Sequence, residues 1–377
     1  PMVFDIAAIQ YLYGPAEYNS GDTVYTIDFS KPFVQAIWDS AGNDTLDLGK
    51  SNYECLINLE PGSYSTIPCY NWSMQDNLGI AFGAVIENVV GGLKNDLIYG
   101  NSEDNFLDGN SGNDILKGGD GNDVFDWNDT KRLGIDQFYG EAGDDVFVVD
   151  NPGDLVVEVA NQGSDLVWVG IGEYSLPEHV ERVGALSGKA VSLLGNSLDN
   201  EIKGNDGSDF LNGVEGNDII FGGSGNDIIT GGAGDDILYG ESGFDDFIFF
   251  SGFGNDIISD FNEVEDTIFY DGVTLNDVSN VEQKLAEDGS KVISFVDGSS
   301  ITFKALELSE ISSVEEEVEQ ASMFEPEGLK LDFGRNDLSV YRGFDEIVKI
   351  FSLSIPNYYI SLTDTKGNAW RAATPIG

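Results

Sequence analysis

The chain has 377 residues and is strongly acidic, with 67 Asp and Glu against 18 Lys and Arg, which gives a formal net charge of -49. This charge repels phosphate, so nucleic acids and anionic membrane surfaces are poor partners. Hydrophobic residues make up 41% of the chain, so its composition is not that of a disordered protein. The sequence contains neither an apolar run of about 18 residues that could span a membrane nor an N-terminal export signal, so Sec export would require a segment already removed.

The first predicted element is a short helix over residues 4–14, which Asp5 caps and Gly14 ends. Ile6, Ile9 and Leu12 mark one face of this helix. Residues 21–90 alternate between short apolar runs and turn residues, and this pattern predicts a series of short strands.

A nine-residue repeat begins at Gly91 and reads GGLKNDLIY, GNSEDNFLD, GNSGNDILK and GGDGNDVFD up to residue 126. An isolated copy, GEAGDDVFV, occupies residues 140–148. Six residues rich in Gly, Asn and Asp favour a tight turn, and the next three residues form a very short strand with one inward side chain. Two repeats, or 18 residues, therefore complete one coil of a parallel β-roll.

A second array, residues 195–248, reads GNSLDNEIK, GNDGSDFLN, GVEGNDIIF, GGSGNDIIT, GGAGDDILY and GESGFDDFI. The apolar residue at position eight of each repeat is predicted to point inward. These residues are Ile98, Leu107, Leu116 and Phe125 in the first array, and Ile202, Leu211, Ile220, Ile229, Leu238 and Phe247 in the second.

Position six of the repeat is usually Asp, and turns on the same edge of the roll lie 18 residues apart. Asp209, Asp227 and Asp245 are therefore expected on one edge, and Asp218 and Asp236 on the other. Carboxylates stacked about 5 Å apart repel unless a cation lies between them, and calcium takes such oxygens together with backbone carbonyls. The predicted calcium-site residues are Asp96, Asp114, Asp123, Asp145, Asp209, Asp218, Asp227, Asp236, Asp245, Asn113, Asn122, Asn217, Asn226, Gly112, Gly121, Gly216, Gly225 and Gly234.

Some repeats depart from the pattern, and their sites are expected to be half-sites or empty. Asn105 and Asn200 replace Asp at position six, Lys94 replaces Gly at position four, and Phe244 occupies position five of the last unit. We expect about six to eight calcium ions in all, which would cancel roughly 12 to 16 of the negative charges.

The repeat resembles the calcium-binding nonapeptide of RTX proteins. The segments DIAAIQYLYG, GDTVY, IWDSAGNDTLDL, INLEPGSYS and IENVVGG precede it in an order that resembles the C-terminal domain of serralysin-type metalloproteases over residues 4–126. The resemblance implies a calcium-stabilised β-roll or β-sandwich module that is exported from bacteria by type I secretion machinery. It also implies a secreted, extracellular or cell-surface protein.

The catalytic half of the serralysin family is not predicted in this chain. The family's zinc site uses three histidines on and after an HExxH helix, whereas this chain has one histidine, His179, which is expected on the surface or in packing. We therefore expect no zinc, no catalytic residues and no enzyme activity on this chain, although a protease domain could lie upstream in the natural protein.

Residues 145–194 resemble a linker module of large RTX surface proteins, so the predicted fold class is all-β, with tandem parallel β-rolls, flanking β-sandwich-like segments and short helices. Residues 252–270 are expected to close the second roll, residues 276–285 to form a short helix, and KVISFVDGSSITFK to form a hairpin. The predicted domains are an N-terminal segment 1–90, a first β-roll 91–150, a linker module 151–194, a second β-roll 195–311, an acidic linker 312–328 and a small C-terminal domain or secretion segment 329–377.

The C-terminal segment 329–377 matches no family that the sequence suggests. LKLDF is strand-like, Phe344 to Phe351 fall at helical spacing, and YYISLTDTKGNAWRA is expected to form a hairpin around Lys366 and Gly367. It could serve as an export signal, or as a contact for self-assembly or for a cell-surface or polysaccharide partner.

Cys55 and Cys69 enclose 13 residues, and a turn at Gly62 could bring them together as a disulfide. Such a bond would stabilise the fold by about 3 kcal/mol in the loop-entropy model. Two unpaired buried thiols are the alternative.

Three functions remain open on the sequence. The first is a non-catalytic, calcium-binding part of a serralysin-like secreted protein that folds when it meets calcium outside the cell. The second is a structural or adhesive surface protein of S-layer type that assembles with calcium. The third is a polysaccharide-modifying enzyme or its accessory module, or an enzyme with its site in residues 1–90 or 329–377.

Overall fold

The structure is a computed structural model, and it describes residues 2–69, 74–126, 134–186, 188–275, 281–286, 289–304, 360–363 and 369–372. One helix, α1 (Met2–Tyr13), precedes a chain of short strands. The expected acidic linker at 312–328 and the elements expected between residues 329 and 359 lie outside the described residues. Within the described part, no helix combines the length and apolar character that crossing a bilayer requires.

Most strands belong to a stack of parallel coils, in which one long sheet runs through both repeat arrays and the segment between them. From one end to the other this sheet contains β1 (Val24–Thr26), β3 (Thr45–Asp47), β7 (Asn88–Val90), β9 (Phe106–Asp108), β11 (Val124–Phe125), β13 (Val146–Val149), β15 (Leu166–Val169), β17 (Arg182–Ala185), β19 (Glu201–Lys203), β21 (Ile219–Phe221), β23 (Ile237–Tyr239), β25 (Asn255–Ile258), β30 (Ser300–Phe303), β29 (Lys291–Ser294) and β28 (Glu282–Leu285).

The opposite face of the stack is divided into two sheets. The first contains β14 (Leu155–Val157), β12 (Gln137–Ala142), β10 (Ile115–Asp120), β8 (Leu97–Tyr99) and β4 (Leu56–Asn58). The second contains β16 (Glu173–Ser175), β18 (Ser192–Leu194), β20 (Phe210–Glu215), β22 (Ile228–Ala233), β24 (Asp246–Phe249), β26 (Thr267–Tyr270) and β27 (Val273–Thr274). The division falls between β14 and β16, inside the predicted linker module.

The core of the stack is one column of apolar side chains. The ten inward residues predicted from position eight are all fully buried, which confirms the register of both arrays. Strand pairs such as Ile202 with Ile220 and Leu211 with Ile229 place these side chains directly above one another. Buried and half-buried residues alternate along the short strands, because successive side chains of a strand point to opposite faces.

The predicted all-β fold of stacked parallel coils is confirmed. The long sheet continues without interruption from β9 through β17 to β25, so the coils of the two arrays share one sheet. The domain bounds stay predictions, since the uninterrupted sheet does not itself define where one domain ends.

Helix α1 forms where the sequence predicts it, but of the predicted face only Ile6 packs against the core. Val3 is fully buried, whereas Ile9 and Leu12 are 59% and 68% exposed. The helix makes contact through its N-terminal part, where Val3 lies against Gly79 of β6 (Leu78–Ile80). That strand joins β2 (Gln35–Ile37) and β5 (Tyr64–Ser65) in a small separate sheet.

Two expectations near the C-terminal end had different outcomes. The hairpin of β29 and β30 is confirmed, and antiparallel β31 (Ile360–Thr363) and β32 (Ala369–Ala372) confirm the strand pairing of the second hairpin. The helix expected over residues 276–285 is wrong for its last four residues, which form β28, and residues 276–280 lie outside the described part. β28 extends along the edge of β29, whose backbone hydrogen bonds outweigh the weak helical spacing of the sequence.

Candidate calcium-binding edges

The position-six aspartates form ladders along the two edges of the coil stack. In each ladder, the backbone N–H of one Asp donates to Oδ1 of the Asp one coil later. Asp209 donates to Asp227 at 2.8 Å and Asp227 donates to Asp245 at 2.9 Å, while Asp218 donates to Asp236 at 2.8 Å on the other edge. The two edges predicted from the 18-residue spacing are therefore confirmed.

The first array carries the same ladders. One runs from the N–H of Cys55 through Asp96, Asp114 and Asp136 to Asp154. The other begins at Asn105 and continues through Asp123, Asp145 and Asp165 to Glu181. Asn105 and Asn200, which replace Asp at position six, keep their places because each donates its N–H to the following Asp.

The second carboxylate oxygen of most ladder residues has no hydrogen-bond partner although it is buried. In the nonapeptide units this holds for Oδ2 of Asp114, Asp123, Asp145, Asp218, Asp227, Asp236 and Asp245. A buried carboxylate oxygen without a partner costs free energy, so such a column of them indicates that something else satisfies them.

The glycine at position one makes space beside each of these oxygens. A Cβ on Gly222 would lie 2.7 Å from Oδ2 of Asp227 and 2.7 Å from the carbonyl oxygen of Gly240. A Cβ on Gly213 would overlap Oδ2 of Asp218 and the carbonyl oxygen of Gly231. At these two glycines a carboxylate oxygen of the same repeat and a carbonyl oxygen of the next coil thus border a space that any larger residue would fill.

This donor set fits calcium. All the converging atoms are oxygens from carboxylates and backbone carbonyls, which are the ligands that calcium prefers, whereas zinc favours nitrogen and sulfur. When bound, calcium would supply two positive charges to carboxylates that otherwise repel one another. The residues that would hold it are the position-six aspartates and the carbonyls of the neighbouring coil.

Burial dominates the electrostatics of these edges. Desolvation raises the pKa of Asp218 and Asp227 to about 7, and the pKa of Asp114 and Asp123 to about 8. The donated backbone N–H of the preceding coil opposes the shift, and the neighbouring aspartates add to it. Burial therefore disfavours the charged form of these carboxylates, which are stabilised by binding either a proton or a cation.

The predicted glycines at position four serve the turn itself. Gly112, Gly121, Gly216, Gly225 and Gly234 have φ angles from 110° to 151°, which L side chains rarely adopt. A Cβ at Gly225 would also overlap the carbonyl oxygen of Gly207 in the previous coil. These positions require glycine both for the backbone conformation and for the close stacking of turns.

The predicted asparagines at position five form a second, outer ladder. Oδ1 of Asn113, Asn122, Asn217 and Asn226 each accepts the backbone N–H of the residue at the same position one coil later, at 2.8 to 3.1 Å. The structure thus assigns these amide oxygens to stacking between turns, and their role as calcium ligands stays a prediction.

Several ladder residues were missed in the sequence, namely Asp44, Asp136, Asp154, Asp165 and Asp256. They lie outside regular nonapeptides, but each is followed two residues later by a fully or almost fully buried apolar residue, such as Phe138 after Asp136 and Ile258 after Asp256. This Asp-x-apolar pattern persists where the glycines do not. It is the signal that would have found them.

The predicted disulfide between Cys55 and Cys69 is not formed, and both residues are buried free thiols. The Cys55 sulfur lies 3.4 Å from Oγ of Ser51, whereas the Cys69 sulfur lies 3.7 Å from the sulfur of Met74. The loop between them pairs through Leu56 and Thr66, which turns each thiol toward a different partner. Burial raises the pKa of Cys55 to about 12, so its thiol is unreactive at neutral pH.

Comparisons with known proteins agree with this geometry. Residues 5–154 match the sequence family described as "Peptidase M10 serralysin C terminal", and residues 194–228 and 212–247 match the "RTX calcium-binding nonapeptide repeat (4 copies)". The chain therefore carries a serralysin C-terminal domain followed by RTX calcium-binding repeats. This confirms the resemblance that the sequence suggested.

Three curated relatives illustrate the match. Serralysin of Proteus mirabilis is 36% identical over 27% of this chain and 22% of its own length. Metalloprotease AprA of Pseudomonas entomophila is 42% identical over 27% of this chain and 23% of its own length, and serralysin C of Dickeya chrysanthemi is 38% identical over 26% and 22%. The chain thus matches less than a quarter of these relatives, and the secreted bacterial localisation predicted from the sequence agrees with them.

A solved structure, the extracellular lipase LipA from Serratia marcescens, aligns with 59% of this chain and 38% of its own, at 20% identity and a TM-score of 0.24. The matches to the two sequence families, together with the stacked coils and their aspartate ladders, show that the chain carries a serralysin-type C-terminal domain and RTX repeats, which fit a secreted, non-catalytic, calcium-binding module.

Proposed function

We propose that this chain is the calcium-binding, non-catalytic C-terminal part of a serralysin-like protein, which is exported unfolded by type I secretion machinery and folds on calcium outside the cell. The observation that carries the proposal is the column of buried Oδ2 atoms that have no protein partner. Each of those in the nonapeptide units faces the small space left by a position-one glycine, which we call a glycine cradle. A fold that places like charges in this way needs counter-charge to be stable.

The gating follows from the electrostatics of the ladders. Asp227 lies between Asp209 and Asp245 on the same edge. Where calcium is scarce, the mutual repulsion and the desolvation of these carboxylates oppose coil formation. Where calcium is at millimolar concentration, its binding free energy becomes folding free energy, because the unfolded chain does not hold the ligands together. The chain would therefore stay unfolded in the cytosol and fold after export.

The number of ions is also a proposal. Seven nonapeptide aspartates have an unpartnered buried Oδ2, which supports the range of about six to eight calcium ions expected from the repeat count. We further propose that this chain is not itself an enzyme and holds no zinc, in keeping with the match to the C-terminal domain of the peptidase family.

The direct test is circular dichroism of the purified chain at pH 7.5 with a calcium chelator and then with millimolar calcium. We expect the β-sheet signal and a cooperative thermal transition only with calcium, and no recovery when magnesium replaces calcium. Full β-sheet content and an unchanged melting temperature in the chelator would overturn the proposal. Protease assays of the same sample, before and after added zinc, should show no activity.

A further inference from the structure

Three carboxylates converge between the two repeat arrays, in the segment that neither family match covers completely. One carboxylate oxygen from each of Asp145, Glu158 and Asp165 lies within 4.8 Å of the other two. The three side chains are buried, with exposed fractions of 0%, 7% and 2%. Asp145 belongs to the isolated nonapeptide, but Glu158 and Asp165 belong to no repeat.

Glu158 occupies a place that a backbone carbonyl occupies beside several glycines of the arrays. In the second array the N–H groups of Gly204 and Gly222 donate to the carbonyls of Phe221 and Tyr239 in the next coil, each at 2.8 Å. At Gly140, the corresponding glycine of the isolated repeat, the N–H donates instead to Oε1 of Glu158 at 3.0 Å. A carboxylate thus takes the place of a peptide carbonyl at Gly140, as it does where Gly109 donates to Asp126 and Gly240 donates to Asp260.

The cradle beside Gly140 has the same form as those in the arrays. A Cβ on Gly140 would overlap both Oδ2 of Asp145 and Oε1 of Glu158, so glycine keeps the space between them open. Oδ2 of Asp145 and Oε2 of Glu158 are buried and lack hydrogen-bond partners. Oδ2 of Asp145, which has no partner, and Oε1 of Glu158, which accepts the Gly140 N–H, therefore border one small space.

The charges around the cluster are not balanced by the protein. Asp165 accepts the N–H of Asp145 at 2.9 Å, and Glu181 and Asp144 add further negative charge beside it. Arg182 contributes positive charge to Asp165, but its Nη2 donates to the carbonyl of Ser164 at 2.8 Å. One guanidinium directed at a carbonyl does not neutralise three buried carboxylates.

We propose that Asp145, Glu158 and Asp165 form a calcium site that lies between the two regular arrays, at the end of the five-stranded sheet. The ligands are oxygens only, without histidine or thiolate, which favours calcium over zinc. Burial of all three side chains disfavours magnesium, which keeps several of its waters. The inference shares with the proposed function the premise that calcium reaches the coil edges, but two of its three residues, Glu158 and Asp165, belong to no repeat.

The proposed site lies beside the division between the five-stranded and the seven-stranded sheet. Glu158 directly follows β14, the last strand of the five-stranded sheet, whereas Asp145 and Asp165 directly precede β13 and β15 of the long sheet. An ion held by all three would fasten the free end of the shorter sheet to the continuous one. The last coil of the five-stranded sheet would then be held to the long sheet, which continues into the second array.

The test is a calcium count on the full chain by equilibrium dialysis and elemental analysis at saturating calcium. Glu158→Gln keeps the acceptor for the Gly140 N–H and removes the charge, and we expect it to bind one calcium fewer than the wild type. Glu173→Gln, which removes an exposed charge from β16, is the matched control and should bind the wild-type number. A wild-type count in Glu158→Gln would overturn the inference.

The thermal transition separates a cation from a bound proton. If Glu158 is merely protonated, Glu158→Gln should melt at or above the wild-type temperature at every calcium concentration that supports a transition. If Glu158 is a ligand, the melting temperature of the variant should rise less with calcium concentration than that of the wild type or of the control. A wild type that binds no calcium would contradict the proposed function, whereas an unchanged count in a calcium-binding variant contradicts only this site.

A second variant covers the case in which Glu158→Gln does not fold. Asp165→Asn keeps an acceptor for the Asp145 N–H, and we expect it to lose one ion as well. If neither variant folds, long-wavelength anomalous scattering from a wild-type crystal grown with calcium decides. A peak among the three carboxylates supports the site, and scattering only at the regular repeats rejects it.

Discussion

The second array and the segment between the arrays build the same ladder from different residues. Between Asp209 and Asp245 each step of the ladder is 18 residues, whereas the steps from Asp123 to Asp145, Asp165 and Glu181 are 22, 20 and 16 residues. In the array the turns are glycine nonapeptides, and between the arrays they are irregular. The ladder therefore depends on the stacking of coils and not on the repeat itself, since turns of several lengths return an acidic side chain to the same edge.

The two regions also differ in what surrounds the carboxylates. In the array, carbonyl oxygens of neighbouring turns line the cradles, whereas at the junction the Glu158 side chain takes that role. The inward column is the same in both regions, with Ile220 and Val167 fully buried in the long sheet. The difference thus lies at the edges, and the following predictions test it there and in the core.

The largest expected effect is on the calcium-free chain as pH changes. The folded-state pKa values of Asp218 and Asp227 are raised from 3.8 to about 7, so these groups stabilise the fold fully below the unfolded pKa and lose that stabilisation as pH rises through about 7. Asp145 and Glu158 at the junction, with pKa values of about 7 and 8, follow the same sign. Denaturant unfolding in chelator should therefore show stability falling from pH 5 to pH 8.

Calcium should reverse this slope, because it competes with protons for the same oxygens and binds better as pH rises. A calcium-free chain that becomes more stable between pH 5 and pH 8 would contradict the burial of these carboxylates. The control is the same titration at millimolar calcium.

The next effect is the loss of a cradle. Gly213→Ala would force a Cβ onto Oδ2 of Asp218 and the carbonyl of Gly231, and we expect destabilisation by more than about 3 kcal/mol in calcium. Gly172→Ala, at the junction, is the matched control because no atom lies within 4 Å of its Cβ position. It should change the free energy of unfolding by less than about 0.5 kcal/mol. Equal effects would show that the array glycines do not enclose a site.

The core should respond alike in both regions. Ile220→Ala is expected to cost about 2 to 5 kcal/mol in unfolding free energy, and Val167→Ala somewhat less because fewer carbons are deleted. Ile219→Ala, whose side chain is 38% exposed, is the control and should cost clearly less than Ile220→Ala. A junction core that tolerates Val167→Ala without loss would mean that the long sheet does not hold the two arrays together.

The smallest effect is that of one charge. Asp227→Asn keeps an acceptor for the Asp209 N–H but weakens a proposed calcium ligand, so we expect it to destabilise the calcium-bound chain by about 1 to 3 kcal/mol. In chelator the same change removes a desolvated charge and should be neutral or stabilising. Asp206→Asn, an exposed turn residue, controls for net charge. Identical behaviour of Asp227→Asn with and without calcium would show that Asp227 is not a ligand.

The sequence by itself determined the repeat register, the inward column and the two aspartate edges. These follow from local rules, because a nine-residue unit with one apolar position can bury that residue only if two units complete a coil. Asp209, Asp227 and Asp245 were placed on one edge by counting alone, and their ladder hydrogen bonds agree. The glycines at position four were identified in the same way, although their φ angles show that they serve the turn.

Only the tertiary structure decided what happens where the period fails. Counting could not bring Glu158 and Asp165 to Asp145, because irregular turns separate them and only the stacking of β13, β14 and β15 places them together. The tertiary structure also places Cys55 and Cys69 beside different neighbours. It makes residues 282–285 a strand, because they pair with β29. Local sequence sets the shape of each coil, but the edge that a residue meets is set by the coils stacked on either side.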